Sequence, residues 1–167
     1  TTAFCATLQP LNELVDAKKI VVTSGKKLVA QNANDAKLDK NDPNTKMLLE
    51  ILDHPPAKAV FRKFLETVKS PESVAFLEAV DNFIVLKSDF YRYSAAKSIY
   101  EAFIKHGAPS ELNLDSATRQ ELLSQFVEKK VQSSNCSSSI FSKAYDQVIA
   151  ELKSDLFKRF RDTDLYK

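Results

Sequence analysis

Glycine is nearly missing from the chain: Gly25 and Gly107 are the only two among 167 residues. That scarcity excludes Gly-rich phosphate-cradling loops and argues against many tight hairpins. Cysteine is as rare. Cys5 and Cys136 stand far apart, so no disulfide framework is expected and a reduced, cytosolic setting fits better. Cys5 is a lipid acceptor only if a natural chain start lies close to it. The two histidines, His54 and His106, have no Cys or Asp neighbours at zinc spacing and read as surface or helix-end residues. Cys136 lies in a Ser-rich stretch without a nearby base and reads as an inert thiol. No GxSxG, P-loop or HExxH pattern occurs, so the common nucleophile, nucleotide and metalloprotease sites are excluded. No apolar run reaches the roughly 18 residues that a membrane span requires. The first twenty residues carry Glu13, Asp16, Lys18 and Lys19 and do not read as a signal peptide. The net charge of +2 implies neither a nucleic-acid nor a membrane-surface partner.

What is present is a single domain's worth of chain, 44% hydrophobic and 28% charged, long enough to bury a sizeable core. Residues 1–44 are the less regular part. Leu11, Leu14 and Val15 have the spacing of a short helix. Ile20–Val22 and Leu28–Val29 flank Ser24-Gly25 as a small hairpin would. Residues 31–44, rich in Asn, Asp and Lys, read as a linker. From Thr45 to Lys167 the pattern is helical almost throughout. Apolar stripes recur at Met47, Leu48, Ile51 and Leu52, at Val60, Phe61, Phe64, Leu65 and Val68, and at Val74, Leu77, Val80 and Ile84. Pro55-Pro56 separates the first two stripes, and Ser70 is expected to cap the third helix with Pro71 at its first position.

Residues 87–94 are polar with three aromatics and read as a loop. Ala96, Ile99, Tyr100, Phe103 and Ile104 then repeat at three and four, with Gly107 as a C-terminal glycine. Asp115 or Ser116 caps a helix whose apolar face is Leu122, Leu123, Phe126 and Val127. After a Ser-rich break the last segment runs from Phe141 to Phe160. The fold class is therefore all-α: a bundle of about seven to nine helices with an irregular N-terminal extension. The polar residues that break the stripes sit at helix junctions: Glu72 and Ser73, Glu111 and Asn113, and Glu151, Asp155 and Arg159. By residue type alone they read as capping residues, and Asp155 and Arg159, four apart, as a helix-face ion pair. Junctions between packed helices are also where binding groups collect.

At these junctions the chain resembles the regulator of G-protein signalling (RGS) family. Phe61-Arg-Lys-Phe-Leu65 matches the family's Phe-x-x-Phe-Leu start. Ser70-Pro-Glu-Ser-Val-Ala-Phe-Leu77 matches Ser-x-Glu-Asn-Ile/Leu-x-Phe-Trp, and Ala96 to Ile104 matches Ala-x-x-Ile-Tyr-x-x-Phe-Ile. Glu111-Leu-Asn-Leu-Asp-Ser-Ala-Thr-Arg119 follows Glu-Val/Ile-Asn-Leu-Asp-x-x-Thr-Arg, and Phe141 to Phe160 follows the family's ending. The five blocks keep the family's order and spacing; residues 1–44 take no part.

The resemblance implies a helical bundle that binds a GTP-bound, transition-state-like heterotrimeric Gα subunit and accelerates its GTP hydrolysis. It implies no cofactor, no metal and no catalytic residue of the chain's own. Such a protein would be monomeric and cytoplasmic, recruited to the inner face of the plasma membrane. Carried over residue by residue, the contact is Glu72, Ser73, Glu111, Asn113, Glu151, Asp155 and Arg159. Asn113 would meet the neighbourhood of the Gα glutamine that orients water, Asp155 would accept bonds near a switch threonine, and Arg159 would hold Asp155. The chain departs from the pattern at Ser73, where the family has Asn, at Glu151, where it has Leu, at Leu77, where it has Trp, and at Lys69, often an aromatic. Ser73 and Glu151 leave room for an alternative. The chain would then be a Gα-sensing module of a larger protein, such as a Rho exchange factor or receptor kinase, with weak or no acceleration.

Overall fold

The computed structural model describes residues 38–39 and 41–166. The helix and hairpin expected before residue 31, and Cys5, lie outside the described residues. Among these, every regular element is helical and no strand occurs, in agreement with the all-α reading. The helices are α1 (Pro43–Asp53), α2 (Pro55–Thr67), α3 (Glu72–Ile84), α4 (Asp89–Ile99), α5 (Ser116–Val127), α6 (Ser142–Glu151) and α7 (Phe157–Arg161). Two π-helical turns join in: Tyr100–Ile104 continues α4, and Leu152–Leu156 fuses α6 to α7.

Local chemistry sets these boundaries. Asp42 caps α1, accepting from the Thr45 N–H at 3.2 Å and its hydroxyl at 3.1 Å, and Pro43 occupies the first turn. The helix thus starts two residues before the expected Thr45, because a capping Asp followed by Pro is itself a start signal. His54 closes α1 and opens α2: its N–H donates to the Glu50 carbonyl and its Nδ1 accepts from the Ala57 N–H at 3.4 Å. Beyond the last residue of α2 the chain turns at Lys69, which lies in the left-handed region (φ 57), with the Lys69 N–H on Glu66 O and the Ser70 N–H on Leu65 O. This double bond pattern closes a helix end that glycine usually serves. It also commits Ser70 to the turn, and α3 begins at Glu72 without a side-chain cap. The expectation that Ser70 caps α3 is thereby corrected.

A second correction concerns residues 87–94, expected to form a loop. Helix α4 starts at Asp89. Arg92 secures the turn, reaching Asp89 Oδ1 at 2.8 Å, the Leu86 carbonyl at 2.8 Å and the Cys136 carbonyl at 3.1 Å. The first turn turns Phe90 outward, 65% exposed, so its aromatics carry no core-facing period. Val127, expected on the core face of α5, is 61% exposed: it is the last residue of a helix that ends beneath it.

The core is built from the phenylalanine stripes. Phe61 meets Phe160 edge to face at 5.0 Å between centroids, and Phe64 lies 5.4 Å from Phe160. Phe141, fully buried, sits 5.4 Å from Phe83 and 6.0 Å from Phe126. Each buried aromatic contributes about 2–3 kcal/mol, so these contacts fix the relative placement of α2, α3, α5 and the C-terminal rod. Arg161 donates to Asn44 at 2.9 Å and Lys153 pairs with Asp42 at 3.3 Å, tying that rod to the start of α1.

The rod from Ser142 to Arg161 buries Tyr145, Val148, Ile149 and Leu152, then Phe157 and Phe160. The step from Leu152 to Phe157 is five residues, and the Phe157 N–H donates to the Leu152 carbonyl. An ordinary helix turns about 100° per residue, so the extra residue of the π-turn brings Phe157 back to the core. Deep inside, Tyr145 donates to Asp81 Oδ1 at 3.2 Å. Burial raises the Asp81 carboxyl to about 7, against the pull of Lys58 and this hydrogen bond.

Candidate functional site

The junction residues come from three places: the first turn of α3, the loop before α5, and the rod from the end of α6 through the π-turn into α7. Glu72 opens α3 as an acidic residue of its first turn, where negative charge is favoured. Ser73 follows at 5% exposure, so it can meet a partner only through the edge of its side chain. Asn113 stands exposed between the buried Leu112 and Leu114; these two anchor the loop and force the residue between them outward.

Glu151 closes α6 and brings the three places together. Its carboxyl is raised above the ordinary value by desolvation, opposed by a hydrogen bond from the Asn113 side chain and reinforced by the charge of Glu72. The residue as a whole is exposed, yet its carboxyl is close enough to protein to lose part of its hydration. Glu72, Asn113 and Glu151 thus share one patch. Asp155 and Arg159 follow on the same rod, four residues apart, with Arg159 Nη1 3.6 Å from Asp155 Oδ2 and both side chains more than half exposed. A pair so open to solvent contributes about 0.3–0.5 kcal/mol, and leaves both groups available to a partner.

Glu111 has a different setting. Its Oε2 accepts from the Gly107 N–H at 2.9 Å, its Oε1 faces His106 Nδ1 at 3.3 Å, and Arg119 Nη1 lies 2.9 Å away. The Gly107 amide, with help from His106 and Arg119, lowers the Glu111 carboxyl below its ordinary value. Gly107 itself holds φ +78, a conformation that a side chain resists. Glu111 therefore ties together the loop that presents Asn113.

Two residues outside the expected set complete this support. Arg119, on α5, donates Nη1 to the Ile104 carbonyl and Nη2 to the Leu112 carbonyl, each at 2.6 Å. Gln147, on α6, reaches back to Asp115 and Thr118. Asp115 is the α5 cap, with Oδ1 2.7 Å from the Thr118 N–H; the Asp-x-x-Thr spacing carried that signal, and Arg119 was within a matched block. Nothing in the sequence marked Gln147.

Among the described residues, no group of three or more His, Cys, Asp or Glu side chains is arranged to hold a metal ion. A cavity of about 330 Å³ lies between α5, the loop before α6 and the first turn of α6, and none of the junction residues lines it. Cys136 is buried, and desolvation raises its thiol above the ordinary value, as suits an unreactive cysteine. Among the described residues, no helix is long and apolar enough to cross a membrane.

Residues 47–167 match the family described as the Regulator of G protein signaling domain. The chain is 31% identical over 117 residues to Regulator of G-protein signaling 18 of Rattus norvegicus, covering 70% of this chain and 47% of that protein. It is 32% identical over 109 residues to Regulator of G-protein signaling 5 of Mus musculus, covering 65% of this chain and 56% of that protein. The match to Regulator of G-protein signaling 8 of Danio rerio is also 32% over 109 residues, 65% of this chain and 59% of that protein. The chain spans about half the length of these curated relatives. Its helical bundle, its ordered sequence blocks and these likenesses agree: the chain belongs to the regulator of G-protein signalling domain family.

Proposed function

We propose that this domain binds the GTP-bound α subunit of a heterotrimeric G protein and accelerates its GTP hydrolysis. The observation that carries the reading is the shared patch of Glu72, Asn113 and Glu151, with Asp155 and Arg159 beyond it on the same rod. A polar surface of this kind suits a clamp. It would hold the mobile switch segments of Gα in the shape required for hydrolysis and give no group to the phosphate. Gα carries its own arginine and its water-orienting glutamine. The gain therefore comes from positioning, through contacts that are tighter at the transition state than before it. Single-turnover GTP hydrolysis by a panel of Gα subunits, with and without the chain, tests this directly. Acceleration of at least one subunit is expected, and a panel with neither acceleration nor binding would overturn the reading.

Within it, Asn113→Ala should weaken both binding and acceleration by roughly tenfold or more, the effect of losing one buried polar contact. Titration of the hydrolysis rate against domain concentration reads this, and an unchanged curve would remove Asn113 from the contact.

One observation favours a second reading, a Gα-sensing module with little acceleration. Glu151 places a partly desolvated carboxyl beside Glu72, and burying a charge against a partner costs free energy unless a cation meets it. Glu151→Leu should therefore strengthen binding to a Gα without such a cation by about fivefold, measured as the Kd for the fluoroaluminate-activated form. Weaker binding would mean that Glu151 has a basic partner on Gα.

A further inference from the structure

Gln147 lies on α6, one turn before Glu151, and its half-buried carboxamide faces the start of α5. Its Nε2 donates to Asp115 Oδ2 at 2.5 Å and to Thr118 Oγ1 at 2.6 Å. Its Oε1 accepts from the Asp115 N–H at 3.2 Å. A carboxamide offers two N–H donors and one carbonyl oxygen, so both donors and the acceptor are engaged at once, with one orientation of the amide. The partners lie 29 and 32 residues away in sequence.

Asp115 divides its work. Its Oδ1 caps α5 through the Thr118 N–H, and its Oδ2 serves Gln147. Capping alone would fix Asp115 to α5. The bonds from Gln147 add a polar tie from this same residue to α6. Asn113 stands two residues before Asp115, and Glu151 four residues after Gln147. The tie thus joins the two chain segments that carry Asn113 and Glu151.

We infer that Gln147 is a positioning residue: it locks the Asn113 loop to α6, so that Asn113 and Glu151 meet a partner as one preformed surface. The inference rests on the reading that this surface engages Gα. Preorganisation matters because a contact loop that must be ordered on binding subtracts from the affinity.

Two measurements test it, one independent of Gα. Gln147→Leu should speed backbone amide exchange at Leu114 and Asp115 about tenfold while leaving amides in α2 and α3 unchanged. In single-turnover hydrolysis, the same variant should raise the half-saturating domain concentration about tenfold, but less than twofold in an Asn113→Ala background. That non-additivity separates positioning of Asn113 from general weakening of the fold, which would cost the same in both backgrounds. Asp115→Ser keeps a capping oxygen for Thr118 and loses the carboxylate facing Gln147, one of the three bonds of the tie, so it should shift both readouts in the same direction by a smaller factor, about threefold. It decides the matter if Gln147→Leu loosens the whole domain. Unchanged exchange at Leu114 and Asp115 in both variants, or an equal loss in the Asn113→Ala background, would overturn the inference. If the unaltered chain accelerates no Gα, the reading of the surface fails by itself. The exchange measurement then still judges the tie: faster exchange upholds it and unchanged exchange overturns it.

Discussion

An Asp81→Asn chain should hold its stability between pH 5 and pH 8, a range over which the unaltered chain loses it. Asp81 is 7% exposed. Its carboxyl is raised to about 7 by burial, with Asp53 and Glu78 adding repulsion and Lys58 and the Tyr145 hydroxyl opposing. These neighbours come from α1, α3, α2 and α6. In the unfolded chain the same carboxyl titrates near its ordinary value of about 3.9. Below that pH both states carry the proton, and the stability due to the neutral group is fully present. As pH rises the unfolded chain releases its proton first, so unfolding becomes progressively easier until the folded group also ionises near 7. The total loss is up to about 4 kcal/mol, on the basis of about 1.4 kcal/mol for each pH unit between the two values. Asn removes the ionisation and retains a partner for the Tyr145 hydroxyl. Urea unfolding of both chains at pH 5 and pH 8 measures it. Parallel pH profiles would show that Asp81 titrates as an ordinary surface carboxylate.

Arg119→Met should cost about 3 kcal/mol and loosen the loop that presents Asn113. The guanidinium donates to two carbonyls, Ile104 O and Leu112 O, at 2.6 Å each, with its side chain 22% exposed. A hydrogen bond to a charged group contributes about 1.5–3 kcal/mol, and each carbonyl left without its donor bears a desolvation penalty. Methionine keeps the apolar stem and removes the fork, so the comparison isolates the polar contacts. Lysine should restore at most half of the loss, because one ammonium lacks the planar spread that reaches both carbonyls. The urea midpoint at pH 7 reads the stability, and amide exchange at residues 111–115 reads the loop. A loss below about 1 kcal/mol would mean that water replaces the guanidinium at both carbonyls.

How much of this was legible in the sequence depends on which side of a helix the informative residue faces. Phe61, Phe64 and Leu65 repeat at helical spacing and are buried as that spacing requires. Asp115 announced its helix by capping chemistry and does cap it. The start of α4 was hidden because Phe90 projects into solvent and Arg92 does its work through backbone carbonyls, which leave no side-chain period. Asp81 was hidden for the opposite reason. A charged residue at a core position reads as the edge of the polar face, and only packing against Tyr145 reveals that it is enclosed. Of the junction residues, type and block order pointed to Glu72, Asn113 and Glu151, which share a patch. The inward commitment of Glu111 depends on loop geometry that no spacing encodes. Gln147 was silent, since a glutamine on a half-polar helix face has many ordinary partners.

The π-turn at Leu152–Leu156 governs where the end of the rod points. Leu152 and Phe157 are both fully buried, five residues apart. The azimuth of everything beyond Leu152 is therefore indexed by greasy teeth beneath the surface, and Asp155 and Arg159 inherit their bearing from that ratchet. Exchanging the charged residues alters what the surface says but not where it faces, whereas one residue added or removed within this turn would swing the whole end of the rod to a new heading.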